Sequence, residues 1–286
     1  MRAVVVTGVS TGIGRGIATV LGRNGFHVFG SVRRADHGRD FEAALSGSGT
    51  ALVFDVTDQA AVKAAAAQVR ETAGEAGIAG LVNNAGISVH GPLESIDLAE
   101  LRRQFEVNTF AAIGVTQAFL PLLGATHPPR PAPGRIVNIS SVSGRIALPF
   151  VGPYAASKFA LEALSDALRR ELAVYGIGVI IIEPGSVDTP MWDKGAAADI
   201  EPYRGTPYYP VLDRFQRAAV KIGRAGLPPA AVGETVLKAL TAPRPKARYV
   251  VQRGGPLRFH LTRHMPARLL DWLIARQLGL KGGKGT

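Results

Sequence analysis

The chain has 286 residues, 47% of them hydrophobic, which suits one large domain or two small ones with a buried core and argues against a disordered chain. It contains no cysteine, so disulfides and thiolate metal sites are ruled out, no metal is expected, and a reducing, cytoplasmic compartment is the expectation. A net charge of +11 suggests a nucleic-acid binder, but ten basic residues against one acid, Asp271, between Arg244 and the C-terminus carry +9 of it, with mainly Phe259 and Trp272 to stack on bases, so no nucleic-acid partner is expected.

In chain order, short β-branched runs alternate with Ala-rich stretches of helical period, the pattern of a parallel sheet covered by helices on both faces. The first strand is expected to begin at Ala3, so no signal peptide is expected, and no apolar run reaches the length of a membrane span. Strands are predicted over residues 3–7, 27–32, 51–54, 80–82, 135–139, 178–182 and 248–251, and helices over 14–24, 59–73, 98–123, 154–175 and 229–240. Asp97 and Glu100 have the spacing of a capping box for the third helix. Residues 124–134, with four prolines, read as a surface loop at the amino edge of the sheet, away from where ligands bind. Residues 190–228 mix Trp, Tyr, Pro and Gly after the carboxyl end of a strand, where a substrate lid is expected. The catalytic domain is placed at 1–252 and a basic, amphipathic extension at 253–286.

Gly8, Gly12 and Gly14 follow a strand and open a helix, as a nucleotide-binding turn requires: backbone can approach phosphate, and the helix terminus offers unpaired N–H groups. The spacing, two glycines one apart after a gap of three, differs from the G-x-G-x-x-G of other dinucleotide folds. Val32 stands where an acid would bond the ribose of NAD, and Arg33 and Arg34 follow. That favours NADP(H), whose 2′-phosphate a guanidinium binds through two oxygens, with NAD(H) left open; the pair also reads as solvated surface arginines.

Tyr154 and Lys158 are four apart on a predicted helix, which stacks a phenol beside an ammonium and can build a proton donor and acceptor. Ser141 lies at a strand end, and Asn108 lies inside the third helix. With the turn from Thr7 to Gly14, Asp55 after the third strand, Asn83-Asn84-Ala85-Gly86 after the fourth, and Glu183-Pro184-Gly185 through Thr189, these residues occur in an order and at spacings that closely resemble the short-chain dehydrogenase/reductase family. The likeness runs from Ala3 to about Pro190, in the family's single-domain form.

The resemblance implies a Rossmann-type, doubly wound α/β sheet of about seven parallel strands, with a helical C-terminal extension. It implies a catalytic set of Asn108, Ser141, Tyr154 and Lys158: Tyr154 moves the proton, Lys158 stabilises its phenolate, Ser141 orients the substrate oxygen, and Asn108 binds relay water. It further implies cofactor contacts from Gly8, Ser10, Thr11, Gly12, Ile13, Gly14, Arg33, Arg34, Asp55, Val56, Asn83, Ala85, Gly86, Tyr154, Lys158, Pro184, Gly185, Val187 and Thr189. The leading expectation is an NADP(H)-dependent interconversion of a carbonyl and an alcohol. A 3-oxoacyl-type reductase and a non-catalytic dinucleotide sensor are the alternatives. A homo-oligomer, with a dimer favoured, follows from family habit.

Val89, His90, Val142, Leu148, Phe150, Met191, Trp192, Tyr208 and Phe215 would line a mainly apolar pocket, which favours a small hydrophobic carbonyl or alcohol substrate; a solvated loop histidine is the simpler reading of His90. The stretch around 148–154 and the 245–251 strand resemble the 17β-hydroxysteroid and retinol dehydrogenase branch. After Pro266 a helix would carry Leu269, Leu270, Leu273, Ile274 and Leu278 on one apolar face, with Arg268, Trp272 and Arg276 opposite. That face either packs over the substrate mouth or a neighbouring subunit, or attaches the protein peripherally to an anionic membrane.

Overall fold

The computed structural model describes residues 2–280 apart from 129, 131 and 198. Seven parallel strands form one sheet in the order β3-β2-β1-β4-β5-β6-β7. They are β1 (Arg2–Val6), β2 (Phe26–Val32), β3 (Gly49–Val53), β4 (Gly80–Asn83), β5 (Arg135–Ile139), β6 (Gly178–Pro184) and β7 (Arg248–Val251), each predicted strand within a few residues of its place. The register sets Val4 against Val28 and Gly80, so β1 is an interior strand, and the order in which strands are added to the sheet reverses between β1 and β4. That reversal opens a crevice at the strands' carboxyl ends.

Because every strand but the outer ones is covered on both faces, the strands are near-continuous Val and Ile. One core layer joins Val4, Val6, Val28 and Ile180 to Ile17 and Leu21 of α1 (Gly12–Arg23) and Val232 and Val236 of α9 (Pro229–Thr241). The other joins Val5, Phe29, Leu81 and Ile136 to Val62 and Val69 of α3 (Gln59–Ala73) and Val115 and Phe119 of α5 (Ala111–Leu123).

The helix predicted over 98–123 is α4 (Leu98–Phe105) and α5 joined by a π-turn at Glu106–Phe110. Asp97 caps it by accepting from the Ala99 N–H, whereas Glu100 turns outward to pair with Arg103, so only half of the expected capping box forms. The helix predicted over 154–175 is α6 (Gly152–Glu171), finished by a 3-10 turn.

Four helices were absent from the sequence reading: one after β2, two in the lid segment, and the first of the extension, which precedes the helix expected after Pro266. The first, α2 (Ala35–Leu45), buries Phe41 and Leu45 four residues apart, and its mid-helix Gly38 obscured the pattern while letting the helix approach Ala51. Within the lid segment, α7 (Met191–Ala196) is short, and α8 (Tyr209–Arg224) turns Val211 and Leu212 inward. The extension forms α10 (Pro256–Arg263) and α11 (Ala267–Leu278). The proline-rich loop enters β5 at its amino end, as predicted, apart from 129 and 131, which lie outside the described residues together with Lys281 and Lys284 of the basic tail.

Candidate active site

The β1–α1 turn packs against the end of β4. Gly8 and Gly12 take φ of +73° and +57°, and a Cβ at Gly14 would fall 2.1 Å from the Gly8 carbonyl, so each position excludes a side chain. Asn84 pins the turn: its amide donates to the Thr7 carbonyl at 2.8 Å and to the Gly8 carbonyl at 3.2 Å, while Thr7 Oγ1 accepts from the Asn84 and Ala85 N–H groups. Thr11 is the N-cap of α1 and spends no side-chain hydrogen bond on it, so the helix's leading N–H groups keep their capacity for an anion. Ser10, Thr11 and Ile13 lie on this turn, and Thr189 and Pro190 lean over Gly12. A pyrophosphate fits this cradle.

At the end of β2, Val32 is buried and Arg33 and Arg34 are exposed. Arg34 is ion-paired with Asp36, its neighbour in the first turn of α2, whereas Arg33 has no ion pair among the described residues. Arg33 is therefore the guanidinium available to a further anion. Beyond β3, Val56 is buried, and one oxygen of Asp55 accepts from the Thr57 N–H and hydroxyl, fixing the carboxyl at the surface.

Asn83, placed by the sequence reading among cofactor contacts, points instead into the protein. Its amide donates to Thr116 Oγ1 and Asn138 Oδ1 at 2.9 and 2.8 Å, so this neighbourhood presents Asn83 through its backbone, followed by Ala85 and Gly86. Asn84, which the sequence reading quoted but gave no task, is the side chain that serves the turn. Its signal was available: a second amide directly after a strand end that already carries one.

Across the crevice, Ser141 follows β5 and caps the short turn Val142–Gly144, accepting from the Ser143 N–H at 3.0 Å. The Ser141 hydroxyl also hydrogen-bonds with the Tyr154 phenol from the first turn of α6. Burial pushes that phenol above the ordinary tyrosine range, and the bond from Ser141 pulls it partway back. One helical turn on, Lys158 is buried, donates to the Ile139 carbonyl at 2.8 Å, and holds its Nζ 5.9 Å from the centre of the Tyr154 ring. Burial pulls its ammonium down to about 8, against the opposing charge of Glu162. The expected phenol–ammonium stack is thus present, with the ammonium beside the ring and bonded to backbone.

Asn108 lies in the π-turn, where helices carry functional irregularity more often than elsewhere. Its amide is fully engaged: Oδ1 accepts from the Ile87 N–H at 2.8 Å, and Nδ2 donates to the Ile87 carbonyl and to Ser157 Oγ at 3.0 and 3.2 Å. Asn108 therefore ties the loop that follows β4 to the helix bearing Tyr154 and Lys158. At the end of β6, Pro184 offers its carbonyl to Ser141 at 3.5 Å, the Gly185 N–H bonds back to β7, and Val187 is buried in a bridge to Leu227.

Above the crevice the lid has its own small core. Phe150 adopts φ of +67°, unusual for an aromatic residue, and its ring meets Tyr208 and Phe215 edge-on. Trp192 donates to the Val187 carbonyl at 2.7 Å and lies flat on Gly223, so it staples α7 to α8. Val89 is buried and bonded to Gln104, while Met191 and Leu148 are exposed at the rim and Val142 is half-buried. His90 is not the solvated loop histidine of the simpler reading: its Nε2 hydrogen-bonds Ser88 at 2.6 Å, α7 covers it at Gly195, and burial lowers its pKa. Leu278 and Leu280 of the extension pack on the same lid core.

A nucleotide-binding turn, an exposed arginine after β2, and a Ser-Tyr-Lys cluster therefore converge at one sheet edge. The model of short chain dehydrogenases matches residues 2–199. The chain belongs to that family. It is an oxidoreductase of the kind that acts between carbonyl and alcohol groups. It is 41% identical to the NADPH-dependent 3-dehydrocapnine reductase of Ornithobacterium rhinotracheale, over 97% of this chain and 98% of that one. Retinol dehydrogenase 5 of Homo sapiens is 36% identical, over 95% of this chain and 87% of its own. Among solved structures, a short-chain dehydrogenase from Streptomyces avermitilis superposes with a TM-score of 0.75 at 29% identity, covering 100% of this chain and 98% of that chain.

Proposed function

We propose that this dehydrogenase reduces a hydrophobic ketone to a secondary alcohol with NADPH. The observation that carries the reading is the half-buried Tyr154, its phenol held protonated by its surroundings and hydrogen-bonded to Ser141: a proton donor ready for a carbonyl oxygen. The relative that the chain matches at 41% identity is named as an NADPH-dependent reductase, which supports the same direction and cofactor, with NADH as the weaker alternative.

When bound, the nicotinamide supplies the hydride. Gly8 to Gly14 would hold the pyrophosphate, Arg33 the 2′-phosphate, and the backbone from Asn83 to Gly86 and from Pro184 to Thr189 the remaining contacts, with Lys158 at the ribose. Ser141 orients the carbonyl oxygen, and Tyr154 releases its proton to that oxygen as negative charge develops there. Asn108 fixes the π-turn where relay water would bind beyond Lys158. Phe150, Val89, Val142, His90 and the α7–α8 lid exclude water from the reacting atoms. Tyr154→Phe should lower turnover by about a hundredfold or more while NADPH still binds; near-native turnover across a panel of steroid, retinoid, acyl-chain and aromatic ketones would sink the mechanism.

We place the enzyme in the cytoplasm, as a homodimer at a membrane surface. Leu98, Phe110, Phe159 and Leu164 lie exposed on α4 to α6 and supply the apolar face a dimer would bury. Among the described residues no helix is long and apolar enough to cross a membrane. On α11 the apolar face divides: Leu270, Ile274 and Leu278 are half-buried, whereas Leu269, Trp272 and Leu273 join Leu257 and Leu261 of α10 as exposed side chains among Arg253, Arg263, Arg268 and Arg276. The inner stripe serves the lid and the outer one favours an anionic bilayer. Pelleting of the full chain with anionic but not neutral vesicles, abolished in Leu257→Ser/Leu261→Ser/Trp272→Ala, is the expected result; equal pelleting of variant and parent refutes attachment.

A further inference from the structure

Behind the Tyr154–Lys158 pair lies an ionic cluster to which the proposed chemistry assigns no task. Glu162 is one helical turn beyond Lys158 on α6, and Glu183 is near the end of β6; the two carboxylates are 3% and 2% exposed. Two arginines from different elements clamp them. Arg248 of β7 donates to Glu162 at 3.0 Å and lies 3.6 Å from Glu183; Arg145, after the Ser141 turn, lies 3.5 Å from Glu162 and 4.0 Å from Glu183. Asp166, paired with Arg248 and Arg169, closes the cluster towards solvent, and Arg263 of α10 adds its charge near Glu183.

A buried ion cluster is a costly way to add stability, because desolvation consumes most of the attraction. This one draws on β5–α6, β6, β7 and the extension to fix one carboxylate four residues from a buried ammonium, the separation at which helical side chains meet. Glu162 bonds through one oxygen only; its Oε1, the Glu183 Oε1 and the nearby Ser140 hydroxyl have no hydrogen-bond partner among the described residues. Burial and the neighbouring Glu162 charge raise Glu183 to about 7, so this carboxyl keeps its proton well above the ordinary glutamate range.

We propose that Glu162, clamped by Arg145 and Arg248, is a positioning residue: its buried negative charge keeps Lys158 an ammonium despite burial, so that Lys158 can favour the Tyr154 phenolate left after proton transfer. Every charged group facing the pair enters the balance. Glu162 and the ionised Asp166 favour the ammonium, Glu183 joins them only as it loses its proton at about 7, Arg145, Arg248, Arg169 and Arg263 oppose it, and Glu162 is the nearest of them along the helix. The catalytic consequence rests on Tyr154 and Lys158 acting as proposed above, but the electrostatic coupling can be read without turnover.

The test follows the Lys158 side-chain signal by NMR in full-length protein with isotope-labelled lysines, assigned by its loss in Lys158→Arg. In the parent this signal should titrate at about 8. Glu162→Gln should lower that midpoint by about one pH unit, and Arg145→Gln, which removes an opposing cation, should raise it. A midpoint unmoved in Glu162→Gln, or lowered in Arg145→Gln, overturns the proposal. If Glu162→Gln does not fold, the direction of the Arg145→Gln shift decides. Failure of Tyr154→Phe to reduce turnover would defeat the reductase reading and leave this titration standing.

Discussion

Replacing Asn84 by Ala removes the two hydrogen bonds that hold the β1–α1 turn, at 2.8 and 3.2 Å to the Thr7 and Gly8 carbonyls. Each contributes about 1 kcal/mol net, and a carbonyl left without its donor adds a comparable penalty, so the cost is about 2 to 3 kcal/mol. For a domain of this size that lowers the melting temperature by about 5 to 10 °C. Asn84→Asp separates this account from simple loss of packing. It preserves the side-chain volume but aims a carboxylate at two carbonyl oxygens, so it should be worse than Ala. Thermal melting of parent and both variants without cofactor, followed by NADPH titration, measures the effect. The expected order is Asn, then Ala, then Asp, with NADPH affinity falling about tenfold for Ala as the cradle loses its fixed shape. Equal stability of Asp and Ala, or unchanged NADPH affinity in both, would refute Asn84 as the pin of the turn.

Arg33→Ala should raise the Michaelis constant for NADPH by about tenfold to a hundredfold, the loss of one charge-assisted contact, and leave NADH kinetics unchanged; an equal effect on both cofactors would remove Arg33 from the 2′-phosphate. At Gly223 a Cβ would fall 2.2 Å from the Trp192 ring, so Gly223→Ala should unseat α7 from α8 and speed proteolysis within 190–228, the rest of the chain melting as before. Glu183 offers a pH test with a definite sign: its folded pKa of about 7 lies above the ordinary glutamate value, so its contribution is intact below about pH 4.5 and is lost as pH rises through 7. The difference in melting temperature between Glu183→Gln and the parent should therefore rise in favour of the variant from pH 5 to 8; a difference independent of pH contradicts the raised value.

Much of the fold was legible because the sheet is buried on both faces. Strands such as Val4-Val5-Val6 and Val179-Ile180-Ile181-Ile182 announce themselves as unbroken β-branched runs, and the glycine turn marks the first helix. What stayed hidden is helical structure whose apolar pattern is short or interrupted. In α2 the inward residues are Gly38, Phe41 and Leu45, and the glycine, needed for approach to Ala51, erases one signal of the period. In α8 the inward stripe of Val211, Leu212 and Phe215 faces Phe150, Ile200, Tyr203 and the extension and not the sheet, so it is narrower than that of a core helix. The division of α11 is of the same kind: composition shows five apolar residues, and only contact with α8 shows which of them turn inward.

At the site, residue types were readable and directions were not. Tyr154, Lys158 and Ser141 are set by spacing on elements that fold as predicted and Asn108 by the π-turn that interrupts the predicted third helix, so their convergence follows from the topology. Asn83 and Asn84 are adjacent at a strand end, where successive side chains point to opposite sides, and nothing in the pair itself says which amide turns to the glycine turn. The structure settles it through partners: Asn83 meets Thr116 and Asn138 inside, so Asn84 meets the backbone of Thr7 and Gly8. Glu162 and Glu183 were harder still, because a charged residue in a helix or strand reads as solvated until its cations are found. Arg248 lies 65 residues beyond Glu183 on the neighbouring strand β7, and Arg145 lies 17 residues before Glu162 beyond the Ser141 turn, so the adjacency of β5, β6 and β7 in the sheet brings both cations to the carboxylates. The same order brings the extension's Arg263 to Glu183, so the basic tail and the proton-handling lysine share one electrostatic neighbourhood.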